Sequence, residues 1–158
     1  GRLLTNADAR VRRAAAVALA KIGTKQTLEP LLRLLKEGDR ELRALVASSI
    51  GGERSRALAM PLVVLANEET DPAVVAEYYR ALGRIGTADA VQALAKAAQP
   101  GGMLIGRRAA AARVAAVEGL RLAGGQAAAA ALQLLSADGD KAVRELAGRA
   151  LVEIKSRG

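Results

Sequence analysis

The chain has 158 residues, 51% of them hydrophobic, yet it contains no phenylalanine, no tryptophan and two tyrosines. Because cysteine and histidine are both absent, a disulfide framework, a thiol nucleophile and a histidine-based catalytic or metal site are excluded. The formal net charge of +8 is compatible with an anionic partner or with a solvated, arginine-rich surface.

The apolar residues, mainly alanine and leucine, predict an all-α protein. In the first predicted helix, 8–22, Asp8 is suited to the N-cap, apolar residues follow at three- and four-residue steps, and Gly23 ends the helix. The second helix, 27–36, has Pro30 in or near its first turn, where a missing amide hydrogen costs least. The same pattern predicts further first helices over 39–51, 71–85, 107–123 and 140–154, and second helices over 56–66, 88–98 and 126–135.

These helix pairs form an internal repeat. One apolar position recurs at spacings of 31, 32, 38 and 31 residues, namely Leu19, Ile50, Leu82, Leu120 and Leu151. A period in this range is typical of a solenoid, in which each two-helix unit stacks on the next. We therefore expect one repeat domain over 1–158, with units 7–37, 38–67, 68–99, 100–136 and a partial unit 137–158.

The two ends of the chain also follow the repeat. Residues 2–4, Arg-Leu-Leu, match residues 33–35 at the same offset of 31. The chain is thus expected to open inside the second helix of an earlier unit and to close after a first helix. Since natural solenoids carry capping repeats, we expect this sequence to be a fragment of a longer solenoid.

Charged residues recur with the same period. Seven residues before the apolar position stand Arg12, Arg43, Val75, Arg113 and Arg144, and eleven before it stand Asp8, Asp39, Asp71, Ala109 and Asp140. Pairing of each arginine with an aspartate of its own or the adjacent unit is the favoured interpretation. A ladder of such arginine–aspartate pairs along the repeat should be interrupted around units three and four. The alternative is a row of arginines that binds nucleic acid or another anion.

The unit resembles a known repeat. Its signature is Asp8-x-x-Val11-Arg12, then Ala18-Leu19, Ile22-Gly23 and Glu29-Pro30-Leu31, recurring as Asp39-x-x-Leu42-Arg43 and Asp140-x-x-Val143-Arg144. It is similar to the HEAT-like repeat of the phycobilisome-lyase type over nearly the whole chain. The resemblance implies a right-handed αα superhelix of about four to five repeats. First helices would form the convex side, and second helices the concave, usually ligand-binding side. A bilin-lyase-like role is suggested by the family name alone.

No motif predicts catalysis, a metal site or a cofactor. The serines have no histidine to activate them, and the acids at Glu68, Glu69 and Asp71 precede a helix whose dipole they complement. Asp138-x-Asp140 lacks the remaining ligands of a calcium loop and is predicted to be a turn followed by an N-cap. We expect the protein not to be an enzyme.

Two irregular features interrupt the repeat. The first is a glycine-rich insert over 100–106, with Met103, Leu104 and Ile105 and the following Arg107 and Arg108. It is interpreted as packing on the solenoid, as an apolar contact for a partner, or as an anion site ahead of a helix. The second is Tyr78 and Tyr79 at positions that are alanines in unit one, predicted to fill space opened by the irregular fourth unit.

The surface of the repeats is predicted to bind another protein. The register places Arg33, Met60, Val64, Gln92 and Lys96 on the exposed side of the second helices. This mixed surface lacks the aromatic rings that single-strand binders use, so a protein or peptide partner fits better than nucleic acid. The predicted function is a non-catalytic, cytoplasmic interaction scaffold with no membrane span. The hypothesis fails if Arg33 and Lys96 are buried.

Overall fold

The computed structural model describes residues 2–101 and 109–157, and within these ranges every regular element is helical. The first helices of the units are α1 (Ala9–Ile22), α3 (Arg40–Ser49), α5 (Pro72–Ile85), α7 (Ala110–Ala123) and α9 (Lys141–Arg157). The second helices are α2 (Lys25–Glu37), α4 (Ala59–Glu68), α6 (Ala88–Ala98) and α8 (Gly125–Leu135). Short 3-10 helices span Arg2–Thr5 and Glu53–Leu58. The all-α prediction is confirmed.

The helix ends form because of local capping residues. The Asp8 carboxylate accepts a hydrogen bond from the Arg10 amide at 2.8 Å, and so satisfies a donor in the first turn of α1. At the other end Gly23 adopts a left-handed φ of 60°, and its amide donates to the Leu19 carbonyl. Gly86 ends α5 in the same way with a φ of 66°. The same residue types therefore produce the same helix boundaries in different units.

The helices form two layers. The first helices pack side by side in one layer, and the second helices form the other, each packing against the first helix that follows it. The recurrent apolar position lies between the layers, where Ile50, Leu82 and Leu120 are fully buried. Equivalent second-helix leucines complete this core, namely Leu31, Leu62, Leu94 and Leu132. The core is thus a continuous strip shared by neighbouring units.

Helices α5 and α7 make the closest approach in the first layer. A Cβ added to Gly83 would lie 2.2 Å from the Gly119 carbonyl oxygen. A Cβ added to Gly119 would lie 2.6 Å from the Tyr79 carbonyl oxygen. Both positions require glycine because backbone atoms of the facing helix occupy the space of a Cβ, and at Gly119 the Leu94 side chain lies equally close, at 2.6 Å. The two backbones are consequently in direct contact, although the sequence between these helices contains the insert.

Some helix boundaries differ from those predicted. Helix α3 ends at Ser49, because the Arg84 guanidinium reaches from the next unit to the carbonyls of Ile50 at 2.7 Å and Ala47 at 2.8 Å. These bonds satisfy carbonyls at the helix end, so α3 need not continue. Helix α2 begins at Lys25, which places Pro30 in the second turn and not the first. Helix α7 begins at Ala110 within the described residues.

Candidate functional site

The second helices share one exposed face. On α2 the residues Thr27, Leu31 and Leu35 are buried at four-residue intervals, so the opposite side of that helix faces outward. On the other second helices, too, buried residues recur at three- and four-residue steps, so one side of each helix faces outward. We define the second-helix face by Glu29, Arg33 and Lys36 on α2, Met60, Val64 and Asn67 on α4, Gln92 and Lys96 on α6, and Ala130 and Leu134 on α8, all of them exposed.

This face displays large apolar side chains. Met60 is 53% exposed, Val64 50% and Leu134 77%. They are three of the six strongly exposed large hydrophobic residues in the described ranges. Met60 and Val64 are four residues apart on α4 and therefore adjacent on its surface. Exposed apolar groups that neighbour one another are typical of a binding surface.

The five residues predicted from the sequence all lie on this face. Arg33, Met60, Val64, Gln92 and Lys96 are exposed, as the hypothesis requires. The register also places Leu134 in the row of Val64, two units further on, although it was not among the five predicted contact residues. Its exposure makes it a further candidate on this face.

A cavity opens beside the apolar centre of the face. It has a volume of about 160 Å³ and lies between α4 and α6. Its walls are mainly apolar, with Asn67 and Lys96 as polar lining residues. The lining also includes Val63, Ala66, Tyr79, Leu82, Ala93 and Ala97. A cavity of this size between two helices can hold one aliphatic side chain.

The opposite layer uses its charges within the protein. Arg13 pairs with Glu41 at 2.5 Å and so joins α1 to α3. Arg121 pairs with Glu118 at 2.7 Å on its own helix and with Glu153 of α9 at 2.9 Å. The Arg121 hydrogen bond lowers the pKa of Glu118 below its usual value. Many arginines of this layer therefore join helices to one another.

The repeat-aligned arginines bind the turns between units. Arg43 donates to the Gly38 carbonyl at 2.8 Å and to the Glu69 carboxylate at 2.8 and 3.1 Å. Arg113 donates in the same way to the Ala98 carbonyl at 2.8 Å and to the Asp138 carboxylate. Each of the two guanidiniums thus holds the preceding turn and also reaches an acid of the following unit.

The other two repeat-aligned arginines bind carbonyls. Arg12 donates to the Asn6 carbonyl at 2.7 Å and the Ala7 carbonyl at 2.9 Å. Arg144 donates to the Asp138 carbonyl at 2.6 Å. The four arginines do not form a row of cations directed at solvent, and the geometry of a phosphate-binding ladder is absent from them.

The prediction that each arginine pairs with an aspartate of its own or the adjacent unit holds for Arg113, which pairs with Asp138, but Arg43 pairs with a glutamate. Within the described residues, no ion pair joins any of the four arginines to a repeated aspartate. Asp39 accepts from the Leu42 amide at 2.8 Å, and Asp140 accepts from the Ala142 amide at 2.9 Å. These carboxylates are already occupied as N-caps. The carboxylates that pair with Arg43 and Arg113 stand two residues before the N-cap of the next unit. That position is Glu69 before Asp71, and Asp138 before Asp140.

The Glu69 carboxylate was predicted only to complement a helix dipole, and the structure gives it a larger role. It accepts from the amides of Thr70 and Asp71 at 3.0 Å each, in addition to Arg43. Burial alone would raise the pKa of Glu69, but the Asp71 amide and the Arg43 guanidinium leave it below its usual value. Glu69 therefore links unit three to unit two through its ion pair with Arg43.

The interruption of the ladder follows the same rule. Unit three has Val75 in place of the arginine, and the residue two before Ala109 in unit four is Arg107. An arginine at position 75 would have no acid at the corresponding position of unit four. In the sequence, unit three therefore lacks the arginine and unit four lacks the acid that would pair with it, at the place where the interruption was predicted. The position of Arg107 itself lies outside the described residues.

Tyr78 was predicted to fill space opened by the irregular fourth unit. The structure shows a different contact. The Tyr78 side chain is buried, and its hydroxyl donates to the Leu35 carbonyl at the end of α2 at 2.7 Å. Burial raises the pKa of Tyr78 to about 12. Arg43 and Glu69 lie beside it around a second cavity of about 270 Å³. This tyrosine therefore ties unit three back to unit one.

The remaining predictions concern the insert, metal binding and a membrane span. The insert residues Met103, Leu104, Ile105, Arg107 and Arg108 lie outside the described residues. Within 2–101 and 109–157, no group of three or more acidic residues is placed to hold a metal ion. None of the helices in those ranges is long and apolar enough to cross a bilayer.

A family model for HEAT repeats matches residues 1–51 and 28–112, which together cover more than half of the sequence. The chain belongs to the HEAT-repeat family. This confirms the HEAT-repeat part of the predicted resemblance and the α-solenoid fold. No curated protein matches the chain.

Solved structures share the HEAT-repeat chain's architecture. A designed armadillo repeat protein is similar over 97% of this chain and 79% of its own, with a TM-score of 0.50 and 19% identity. An engineered protein of known crystal structure is similar over 99% of this chain and 78% of its own, with a TM-score of 0.52 and 25% identity. These likenesses show a solenoid of stacked helical repeats.

Proposed function

We propose that this HEAT-repeat solenoid is a non-catalytic scaffold that binds a protein or peptide through its second-helix face. The observation that carries the proposal is the exposure of Met60, Val64 and Leu134 at corresponding or adjacent positions of that face. Burying such side chains against a partner removes apolar surface from water at about 25 cal/mol per Å². The proposed contact residues are Arg33, Met60, Val64, Gln92 and Lys96.

The distribution of charge supports this choice of face. On the first-helix side, Arg13, Arg40 and Arg121 are engaged in ion pairs that join neighbouring helices. A partner on that side would have to compete with these contacts. The second-helix face presents its apolar groups beside polar residues, an arrangement common at protein interfaces. The concave shape implied for this side of the solenoid belongs to the same proposal.

The perturbed carboxyls support a non-catalytic role. A carboxyl with a shifted pKa is a candidate acid or base when it faces a cleft with room for substrate. Glu69 and Asp138 line cavities, but their carboxylates are bound by Arg43 and Arg113, and Glu118 is bound by Arg121. Burial raises the pKa of Glu69 and of Asp138, but neighbouring backbone amides and these arginines leave it below the usual value, and the Arg121 hydrogen bond lowers the pKa of Glu118. These shifts reflect hydrogen bonds that hold the fold together.

The remaining finer predictions are part of the proposal. The phycobilisome-lyase subtype draws support from the Asp-x-x-Val-Arg signature, and a cytoplasmic location stays a prediction. Nucleic-acid binding through Arg12, Arg43, Arg113 and Arg144 loses its geometric support, because all four donate to turn carbonyls. No residue in the described ranges points to attachment of a bilin.

A peptide-library selection tests the proposed face. Binders selected against the intact protein should lose about tenfold or more in affinity when Val64→Asp or Met60→Asp is introduced, because a charge is then buried against an apolar group. Val152→Asp is the matched control, since Val152 is 70% exposed but lies on the first helix α9. It should leave binding unchanged.

Two results would contradict the proposed function. One is that selection yields no binder above background. The other is that the selected binders are weakened as much by Val152→Asp as by Val64→Asp. Circular dichroism should show the same helical signal for all variants, because each of the three side chains is at least half exposed.

A further inference from the structure

Cationic and apolar residues alternate across the second-helix face. At one repeat position the four units carry, in order, Arg33, Val64, Lys96 and Leu134, and all four are exposed. At the neighbouring position the order is Glu29, Met60, Gln92 and Ala130, which is again polar, apolar, polar, apolar. A chain that crosses the helices would therefore meet a cation and an apolar side chain in turn.

The spacing of that alternation fits an extended peptide. Packed helices lie about 8–10 Å apart, and an extended chain advances about 3.3 Å per residue. Consecutive helices are thus about three residues apart along a partner that crosses them. Resting on the proposed function, we propose that this face binds an extended, acidic peptide of the pattern acidic-x-x-aliphatic-x-x-acidic-x-x-aliphatic.

The charges of the face select an acidic partner. Arg33, Lys36 and Lys96 are its cations, and Glu29 is the only acid among the residues that define it. Carboxylates at the acidic positions of the peptide would lie opposite Arg33 and Lys96. A charge-assisted hydrogen bond to a guanidinium or ammonium is about twice as strong as a neutral one. The same charges disfavour a basic peptide.

The cavity between α4 and α6 provides the first aliphatic subsite. It is lined by Val63 and Asn67 of α4 and by Lys96 of α6, and it has a volume of about 160 Å³. Apolar cavities of about 150 Å³ hold ligands the size of benzene, so a leucine or isoleucine side chain fits. Lys96 lines the same cavity, which places a cation next to the aliphatic subsite.

An extended partner fits this surface better than a helical one. A helix rises about 1.5 Å per residue and has a diameter of about 10 Å, so it needs a groove of that width. Helices α4 and α6 contact each other, which leaves room for a side chain and not for a helix. The aliphatic side chain enters the cavity while the backbone of the peptide remains above it.

Fluorescence anisotropy with synthetic peptides tests the proposal. The probe is a labelled peptide of about 13 residues with two glutamates and two leucines, which alternate at every third position, and with serine at all other positions. It should bind the intact protein about tenfold or more tightly than a peptide of identical composition with four-residue spacing. Replacing its glutamates by lysine should abolish binding to the intact protein.

Reversing the two cations of the face gives the decisive test of charge recognition. The double variant Arg33→Glu/Lys96→Glu should lose the glutamate peptide and gain the lysine peptide, since both partners are then reversed. Arg149→Glu on α9 is the control, because Arg149 is an exposed cation of a first helix. It should leave the affinity for the glutamate peptide unchanged.

Equal binding of the three- and four-residue spacings overturns this proposal, as does the absence of detectable binding by the glutamate peptide. A preference for the glutamate peptide that survives the double reversal overturns it too. These failures differ from failure of the proposed function. Library binders that depend on Val64 but lack this spacing would retain the second-helix face as the binding surface and remove only the motif.

Discussion

The two helix layers of this protein are built from similar apolar residues but use their polar residues differently. In the first-helix layer, Gly83 and Gly119 bring two backbones into contact, and Arg121 joins α7 to α9. In the second-helix layer, Met60 and Val64 remain half exposed. The difference means that the ion pairs and backbone contacts between units concentrate in the first-helix layer, which is consistent with the proposal that the other layer binds a partner.

The largest expected effect is at the buried pair between units four and five. Arg113 and Asp138 have side chains only 7% and 8% exposed. Arg113→Met leaves the Asp138 carboxylate buried without its cation, which should lower the free energy of unfolding by about 3–5 kcal/mol. Urea denaturation followed by circular dichroism measures this loss.

The control for that pair is the double variant Arg113→Met/Asp138→Asn. It removes the unpaired charge but retains an acceptor for the Asp140 amide, which Asp138 binds at 2.9 Å. The double variant should recover part of the lost stability. If it is no more stable than Arg113→Met, the uncompensated carboxylate is not the cause.

The second largest effect is at the α5–α7 contact. Gly83→Ala should reduce the free energy of unfolding by about 3 kcal/mol, because the new Cβ overlaps the Gly119 carbonyl oxygen. Gly148→Ala in α9 is the matched control, since nothing lies within 4 Å of its Cβ. It should stabilise the protein by about 1 kcal/mol through helix propensity. Thermal melts that shift in the same direction would refute the close contact.

The third prediction concerns acid sensitivity. The pKa of Glu69 is lowered in the folded state, from a usual value of 4.5, by hydrogen bonds that outweigh its burial. Its stabilising contribution is therefore present above the unfolded pKa and is lost as the pH falls through the folded pKa. Glu69→Gln should cost about 2 kcal/mol near neutral pH and show a smaller fall in stability between about pH 6 and about pH 3.

The neighbouring Glu68→Gln is the control for acid sensitivity, because Glu68 is exposed. Its unfolding free energy should fall with pH as steeply as that of the unmodified protein. An equally steep fall in Glu69→Gln would mean that the Glu69 carboxylate does not contribute to the acid dependence of folding.

The smallest effect is expected on the second-helix face. Val64→Asp and Leu134→Asp should each change the free energy of unfolding by no more than about 0.5 kcal/mol, because both side chains are at least half exposed. Paired with the loss of peptide binding, this result would separate recognition from stability. A loss of about 2 kcal/mol in either variant would mean that the face packs within the protein.

Much of the fold follows from short stretches of sequence. Asp8, Asp39, Asp71 and Asp140 mark the starts of first helices, and the glycine at 23 or 86 marks an end, because capping depends on a few neighbouring residues. The exposed side of the second helices also follows from helical periodicity. This is why Arg33, Met60, Val64, Gln92 and Lys96 could be placed outward before any contact was known.

The contacts between units could not be predicted in the same way. The partner of Arg43 was expected to be an aspartate at an N-cap and is Glu69, and the partner of Arg113 is Asp138. These acids share one repeat position, two residues before the next N-cap, but which nearby acid an arginine reaches depends on how far one unit is rotated against the next. The link from Arg84 to the end of α3 also depends on that stacking.

The sequence by itself determined the α-solenoid, the helix starts and the outward residues of each second helix, because these follow from periodicity and capping within one unit. Tertiary structure decided which acids the arginines bind, where α3 ends, that α5 and α7 touch at Gly83 and Gly119, and that a cavity opens between α4 and α6. All four depend on distances between units. Such distances are set by the packing of many side chains together and are not encoded in any single repeat.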